Sequence, residues 1–158
     1  MHLRINFQLV CSAAVLLIGV GCSGGSGHDV PDGVIVSGRI LRGGEPLKMD
    51  RPEVALGRVE VQFYPTIDVN DSGMEATEVD TEGNFQLLGP GRGIPPGKYK
   101  VAIFHDQTGY GEDVLQGVFS EENTPIEITI LEQSVGSVFK LGDIELSDYD
   151  TSAKSEAN

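Results

Sequence analysis

Few side chains in this sequence could act as a nucleophile, a general base or a ligand for a soft metal. The chain contains two cysteines and three histidines, and only His105 falls in the segment that we predict to fold. A Ser–His–Asp or Cys–His arrangement would have to use His105, and that segment contains no Gly-x-Ser-x-Gly turn to present a nucleophile. A single histidine also falls short of a zinc ligand set. We therefore predict that His105 is a solvated residue at a strand end, with no catalytic role, and we expect no cofactor.

The nearest pattern to a metal site covers residues 68–75. Asp68, Asn70 and Ser72, followed by a glycine, occupy the first, third, fifth and sixth places of a calcium-binding loop. The twelfth place is Val79, where such a loop needs a bidentate glutamate, and no helix is predicted on either side. We interpret this segment as a polar turn, and weak calcium binding is the alternative.

The N-terminus has the pattern of an export signal that ends at a cysteine. Arg4 makes its start basic, and residues 9–20 are apolar or small. A helix needs roughly 20 apolar residues to cross a bilayer, so this run is too short to stay in a membrane. Residues 19–22, Gly-Val-Gly-Cys, resemble a bacterial lipobox, in which the cysteine is lipidated and becomes the new N-terminus. We predict a lipoprotein signal peptide over residues 1–21 and lipidation of Cys22; a plain signal peptide cut nearby is the alternative.

A flexible tether follows the predicted lipidation site. Residues 23–27 read Ser-Gly-Gly-Ser-Gly, and we assign residues 22–33 to the tether. Cys11 lies in the apolar run and would leave with the signal, so Cys22 would be the only thiol and no disulfide could form. One acyl chain holds a protein to a bilayer only marginally, so we expect multiple acylation, including palmitate.

The charge balance excludes whole classes of partner. The chain has 24 acidic against 11 basic residues, a formal charge of -13. This charge repels nucleic-acid phosphates and anionic headgroups, so we predict no nucleic-acid partner and membrane contact through the lipid anchor. The acidic pairs at residues 112–113 and 121–122 are of a type that glycosidases use, but they lie in loop-like polar stretches. We interpret them as solvated surface, and we expect a monomer.

Period-two alternation of apolar and polar residues dominates the rest of the chain. Over residues 58–64, Val59, Val61 and Phe63 share one face. The same pattern or a shorter version of it predicts strands over residues 34–42, 76–80, 84–88, 98–105, 125–131 and 138–146, with Gly142 as a bulge in the last. We predict an all-β fold, a single antiparallel β-sandwich of about seven strands, over residues 34–146. Residues 147–158 are polar and are predicted to form a disordered acidic tail.

Four segments, taken in order, resemble the carboxypeptidase-regulatory-like and transthyretin-like domains. They read Val-Ser-Gly-Arg-Ile-Leu-Arg-Gly-Gly-Glu-Pro-Leu (36–47), Val-Glu-Val-Gln-Phe-Tyr-Pro (59–65), Thr-Glu-Val-Asp-Thr-Glu-Gly-Asn-Phe (77–85) and Ile-Pro-Pro-Gly-Lys-Tyr-Lys-Val (94–101). Together with the lipobox they resemble small secreted lipoproteins of planctomycete-type bacteria. The resemblance implies a transthyretin (prealbumin)-like sandwich; it does not by itself imply a function.

The residues that carry this resemblance also have structural explanations. Gly83 fits a turn position that needs a positive φ, and the Asp80 carboxylate is placed to cap that turn. Phe85 then returns to the apolar face, and two prolines and a glycine before Tyr99 bring it into the sheet. We interpret all four residues as structural.

These observations favour a membrane-tethered lipoprotein of the cell envelope, exported and anchored at the outer membrane or the periplasmic face. Its domain is predicted to be non-catalytic, with a structural or binding role toward an unidentified envelope protein or glycan. One alternative is a module that binds glycans or peptides through loops at residues 66–75 and 106–121, where Tyr110 and Phe119 are the aromatic residues. Another is a transthyretin-like hydrolase, which would require His105, Arg92 and Arg58 to converge in one pocket.

Overall fold

The computed structural model describes residues 33–54, 56–66 and 73–149. The predicted signal peptide, Cys22, the tether as far as residue 32, residues 68–72 of the calcium-like segment and residues 150–158 of the predicted tail lie outside the described residues. Within the described ranges, no helix has the length and apolar character that crossing a membrane requires.

The described part of the chain is all-β, with no α-helix. Each segment with a strand pattern contains a strand, and one short strand, Glu45–Pro46, was not predicted. The strands are β1 (Ile35–Arg42), β2 (Glu45–Pro46), β3 (Arg58–Pro65), β4 (Glu75–Glu78), β5 (Asn84–Leu87), β6 (Gly97–Asp106), β7 (Glu127–Ile130) and β8 (Val138–Glu145). Single 3-10 turns cover Pro52–Val54, Glu132–Ser134 and Leu146–Asp148.

The strands form two four-stranded sheets. In the first sheet β1 is central, with β5 and β2 along one edge and β8 along the other; in the second sheet the order is β4-β3-β6-β7. Every pair is antiparallel except β1–β8, which is parallel, so the expectation of purely antiparallel pairing is wrong at this position. The parallel pairing of β8 with β1 follows from the position at which the chain leaves the second sheet. Ile130, the last residue of β7, pairs with Gly97, and the next segment bonds to Gly33 just before β1, so β8 starts beside the start of β1.

The inward faces of both sheets contribute to one apolar core. In the long β3–β6 pairing, Val61 lies opposite Ile103 and Phe63 opposite Val101, and all four are buried. The Phe63 ring lies 6.2 Å from that of Phe85, which belongs to the first sheet. Burial of these side chains is the main favourable term in the stability of such a domain.

Gly142 forms the bulge that the sequence predicts. Ser37 pairs with Lys140 and Gly38 pairs with Gly142, so β8 contains one extra residue at this point. Gly142 has φ of 76°, a left-handed conformation that glycine adopts without a Cβ penalty.

The folded domain extends three residues past the boundary predicted at residue 146. Ser147 and Asp148 lie in a 3-10 turn, and the Tyr149 ring packs edge-on against the buried Phe119 ring at 6.4 Å. The aromatic contact is long-range in sequence, which explains why the local polarity of this segment suggested a tail.

Two opposite ends of the domain can be defined by the direction of β1 and β6. We call one the Gly33 end, where the chain enters β1; it comprises residues 33–35, 88–96 and 131–138. We call the other the groove end, where β1 and β6 finish and residues 45–50 border a groove. It comprises residues 43–54, 80–83 and 106–113.

Candidate functional site

His105 is buried, so the expectation of a solvated histidine is wrong. Its side chain is 5% exposed, because β6 continues its alternation and places His105 on the inward face with Tyr99, Val101 and Ile103. Its Nε2 lies 2.8 Å from the carbonyl oxygen of Lys48; that oxygen can only accept, so Nε2 carries the hydrogen. Nδ1 has no hydrogen-bond partner among the described residues. No described hydroxyl or thiol therefore pairs with this base.

The Lys48 carbonyl belongs to a segment that borders a groove of about 620 Å³. This segment is fixed to the end of β6 because Gln107 Nε2 donates to Asp50 Oδ1 at 2.8 Å and Asp50 N donates to the Gln107 carbonyl at 3.0 Å. Leu47, Met49 and two prolines give the groove apolar walls, and Thr81 and Lys48 add polar ones. This volume lies within the range of clefts that hold small ligands. We call this cavity the far groove.

Asp106, at the end of β6, organises the loop beside the far groove. Its carboxylate accepts from the backbone N–H of Gly109 and Gly111 at 2.7 Å each, and from Thr108 at 3.2 Å. Burial acts to raise the pKa of Asp106, but the N–H donors of Gly111, Gly109 and Thr108 outweigh it and hold the pKa below its ordinary value. An ionised carboxylate is thus used to hold the loop.

Asp113 plays the same part a few residues later. Its carboxylate accepts from the backbone N–H groups of His105 and Leu115 at 3.1 Å and of Gly117 at 2.9 Å. These bonds hold the segment that places the buried Leu115 and Phe119 in the core. The interpretation of Asp113 as plain solvated surface is therefore wrong. Phe119 is also unavailable as a binding aromatic, whereas Tyr110 is 92% exposed.

Glu145 is a polar residue that sequence reasoning missed. Its carboxylate accepts from the backbone N–H of Gly43 and of Gly44, both at 2.7 Å, and from Ser147 at 3.0 Å. The N–H donors of Gly44 and Ser147 lower the pKa of Glu145 to about 2. No local pattern could reveal this contact, since Gly43 and Glu145 are 102 residues apart in sequence.

The turn between β4 and β5 is built as the sequence predicts. Asp80 Oδ1 accepts from the backbone N–H of Glu82 at 2.9 Å and of Asn84 at 2.8 Å, and Gly83 has φ of 89°. Burial acts to raise the pKa of Asp80, but the hydrogen bonds from Asn84 and Glu82 lower it overall. A Cβ on Gly83 would lie 2.7 Å from the Ile40 carbonyl oxygen, so this glycine is also required by packing.

Arg58 and Arg92 do not converge with His105. Arg58 pairs with Asp106 across the sheet, and its guanidinium lies 5.6 Å from the centre of the Phe104 ring, on the face opposite to His105. Arg92 lies in the loop before β6, and His105 lies near the other end of that ten-residue strand. The pocket required by the hydrolase alternative is therefore not formed by these three residues.

The remaining sequence-predicted sites are only partly described. Cys22 and residues Asp68, Asn70 and Ser72 lie outside the described residues, so lipidation and calcium binding stay predictions. Among residues 33–54, 56–66 and 73–149, no group of three or more His, Cys, Asp or Glu side chains is arranged to hold a metal ion.

Two comparisons with known proteins place this chain in no family. No protein-family model matches it, and no curated protein matches it significantly.

Proposed function

We propose that this protein is a lipoprotein of the cell envelope, exported and attached through lipid on Cys22, whose domain acts as a non-catalytic structural or binding module. Two observations support the proposal: the signal pattern at the N-terminus, and the use of carboxylates in the described domain as acceptors for backbone N–H groups. Its tether and anchor precede the Gly33 end, which leaves the groove end free to meet a partner.

The proposal that the domain is non-catalytic rests on one observation: its carboxylates accept hydrogen bonds from backbone N–H groups. Asp80, Asp106, Asp113 and Glu145 each accept two or more backbone N–H groups. An acid or base in catalysis must exchange its proton with a substrate near the working pH. A carboxylate held ionised by the main chain, with a lowered pKa as in Asp80 and Glu145, is poorly suited to that exchange.

We propose that the two sheets form a β-sandwich of the transthyretin-like type, in a lipoprotein similar to those of planctomycete-type bacteria. The shared core and the Asp80–Gly83 turn support it.

The anchor is tested by metabolic labelling with a clickable fatty acid. We expect the wild-type protein to incorporate the label and to fractionate with membranes, and Cys22→Ala to do neither. Cys11→Ala is the matched control, because that cysteine lies within the predicted signal and its loss should leave labelling unchanged. Equal labelling of wild type and Cys22→Ala would remove the anchor from the proposal.

A second candidate function, peptide binding, is favoured by the far groove. Its walls combine Leu47, Met49 and prolines with Lys48, and contain no aromatic side chain. Sugar rings are usually held by stacking on aromatic rings, so this lining suits an extended peptide with an apolar side chain better than a glycan.

A display library of random peptides tests this second function against the mature chain. We expect selected peptides to lose at least about tenfold in affinity on Met49→Asp, which puts a charge into an apolar contact. Met74→Asp, at the other end of the domain, is the control. Peptides that bind both variants equally well would exclude the far groove as the peptide-binding site. Binding to a glycan array but to no peptide would favour the glycan alternative.

A further inference from the structure

The chain enters the folded domain through a fixed position between two loops. Gly33 N donates to the Arg92 carbonyl at 2.9 Å, and Gly136 N donates to the Gly33 carbonyl at 2.8 Å. A Cβ on Gly33 would lie 2.5 Å from the Gly93 carbonyl carbon, so the backbones are in close contact. Gly33 is therefore held between residues 88–94 on one side and residues 131–137 on the other.

Exposed aliphatic side chains surround this position. Val138 pairs with Ile35 on one side of β1, and Leu88 follows Leu87, which pairs with Val36 on the other side. The connection from β7 to β8 adds further exposed aliphatic side chains. The exposed members of this set, which we call the apolar rim, are Leu88, Leu131, Val135 and Val138, between 41% and 49% exposed.

The two ends of the domain differ in charge as well as in apolar exposure. Residues 88–96 and 131–137 contain one cation, Arg92, and one acid, Glu132, for a net charge of zero. The groove end, over residues 43–54, 80–83 and 106–113, contains eight acidic and two basic residues, for a net charge of -6. An anionic surface would therefore repel the groove end more strongly than the loops that carry the apolar rim.

The length of the preceding segment keeps the apolar rim close to the anchor. Gly33 is 11 residues after Cys22. We predict a flexible tether here, and a flexible chain of this length has a root-mean-square span of about 18 Å. A contact made within such a tether is intramolecular, and short flexible linkers give effective concentrations in the millimolar range. A face too weak to bind vesicles from solution is thus able to bind the bilayer to which it is tethered.

We propose that the apolar rim at the Gly33 end rests on the bilayer surface, and that it holds the domain with the far groove pointing away from the membrane. This inference rests on the lipid anchor of the proposed function. The occupant is a lipid surface, which aliphatic side chains enter at the boundary between headgroups and acyl chains.

Tryptophan fluorescence tests the orientation directly, because the chain contains no native tryptophan. The Val135→Trp protein is purified with its anchor and reconstituted into phosphatidylcholine vesicles that carry brominated acyl chains. We expect its emission to be quenched several-fold more strongly than that of Val54→Trp. Val54 is a matched control, since it is a 57% exposed valine at the groove end.

A second variant links the quenching to the rim. Leu131→Ser combined with Val138→Ser in the Val135→Trp protein should reduce quenching to the Val54→Trp level, while cooperative melting shows that the variant is folded. Equal quenching of the two single-tryptophan proteins overturns the proposal. A dimer of the mature chain that the two serine substitutions dissociate also overturns it, because a second copy then covers the rim.

A chemically coupled sample separates this proposal from the anchor itself. The mature chain is attached through its Cys22 thiol to a maleimide lipid, so it is held at the vesicle whether or not cells lipidate that cysteine. If fatty-acid labelling fails but Val135→Trp is still quenched more strongly than Val54→Trp, the lipid anchor is rejected and the membrane contact of the apolar rim is supported. If labelling succeeds but the two proteins are quenched equally, the lipid anchor is retained and the membrane contact of the apolar rim is rejected.

Discussion

The groove end and the Gly33 end satisfy their backbone polar groups by different means. At the groove end, carboxylates accept the free N–H groups: Glu145 binds Gly43 and Gly44, and Asp106 binds Gly109 and Gly111. At the Gly33 end, main chain bonds to main chain, as in the reciprocal bonds between Val34 and Ile94 at 2.8 and 2.9 Å. Both solutions give backbone polar groups the hydrogen-bond partners that folded proteins require.

This difference explains how one acidic chain presents two unlike surfaces. A carboxylate that caps a loop brings a negative charge to that end, whereas glycine backbones in close contact bring neither charge nor side chain. The acidic residues are therefore distributed unevenly, and the loops of the Gly33 end, which have a net charge of zero, keep exposed aliphatic residues such as Leu88 and Val138. Substitutions at one end should therefore change the stability or its pH dependence in a way that substitutions at the other end do not.

The largest expected effect is at Gly93, where the backbones of the Gly33 end are closest. Gly93 has φ of 95°, and a Cβ there would lie 2.5 Å from Val34 N and C. We expect Gly93→Ala to lower the free energy of unfolding by about 3 kcal/mol or more, from strain and the shift of β1. Gly91→Ala, at φ of 99° with nothing within 4 Å, should cost only about 1 kcal/mol. Urea denaturation measures both, and equal losses would contradict the close contact.

The groove end depends on the buried His105. We expect His105→Ala to lower the free energy of unfolding by about 2–3 kcal/mol, because it opens a cavity and leaves the Lys48 carbonyl unpaired. His105→Leu should cost less, since it refills the volume and removes the unpartnered Nδ1. Chemical denaturation compares the two. An alanine variant as stable as wild type would show that the inward face of β6 ends before His105.

Tyr99 should make the Gly33 end sensitive to alkali. Its hydroxyl donates to the Pro95 carbonyl at 2.6 Å, so Tyr99→Phe should cost about 1 kcal/mol at neutral pH. Burial, and then the charge of Glu75, raise the pKa of Tyr99 from 10.0 to about 12. The unfolded chain loses this proton first, so the stabilising effect is complete below pH 10 and is lost as the pH rises toward 12.

Thermal melting between pH 8 and pH 12 in roughly unit steps checks the alkaline effect. The decline in stability should be shallower in Tyr99→Phe than in wild type, though not absent, because burial also raises the pKa of Tyr64. Tyr110→Phe is the control, as Tyr110 is almost fully exposed. A decline that is the same in Tyr99→Phe and in wild type would contradict the prediction.

Glu145 should make the groove end sensitive to acid, with the smallest effect of the four at neutral pH. Its pKa is lowered from 4.5 to about 2, so the unfolded chain takes up the proton first. The stability that Glu145 contributes is present above pH 4.5 and is lost as the pH falls toward 2. We expect Glu145→Gln to melt slightly lower at pH 7 and to decline less between pH 4.5 and 2.

The acid decline should be reduced and not abolished, because the pKa values of Asp80 and Asp106 are lowered too. Glu127→Gln, at an exposed position on β7, is the matched control and should follow the wild-type profile. Wild type and Glu145→Gln with superimposable acid profiles would contradict the assigned contact with Gly43 and Gly44.

Much of the fold was available from local patterns. The alternation of Val59, Val61 and Phe63 predicted both β3 and its inward face, and the Asp80–Gly83 turn followed from residue types at fixed spacing. The burial of His105 could also have been found, since it continues the odd-numbered face of Tyr99, Val101 and Ile103. The polarity of its side chain obscured this signal, because histidine is fully buried less often than the aliphatic residues.

By itself, the sequence determined that the chain makes strands and which face of each is apolar, because side-chain alternation and turn chemistry are properties of a few consecutive residues. Which strands pair, and in which direction, was decided only by the tertiary structure. The parallel β1–β8 pair depends on where β7 leaves the second sheet, and the cap of Glu145 on Gly43 joins residues 102 positions apart. Such contacts depend on the packing of both sheets around one core, so no local pattern records them.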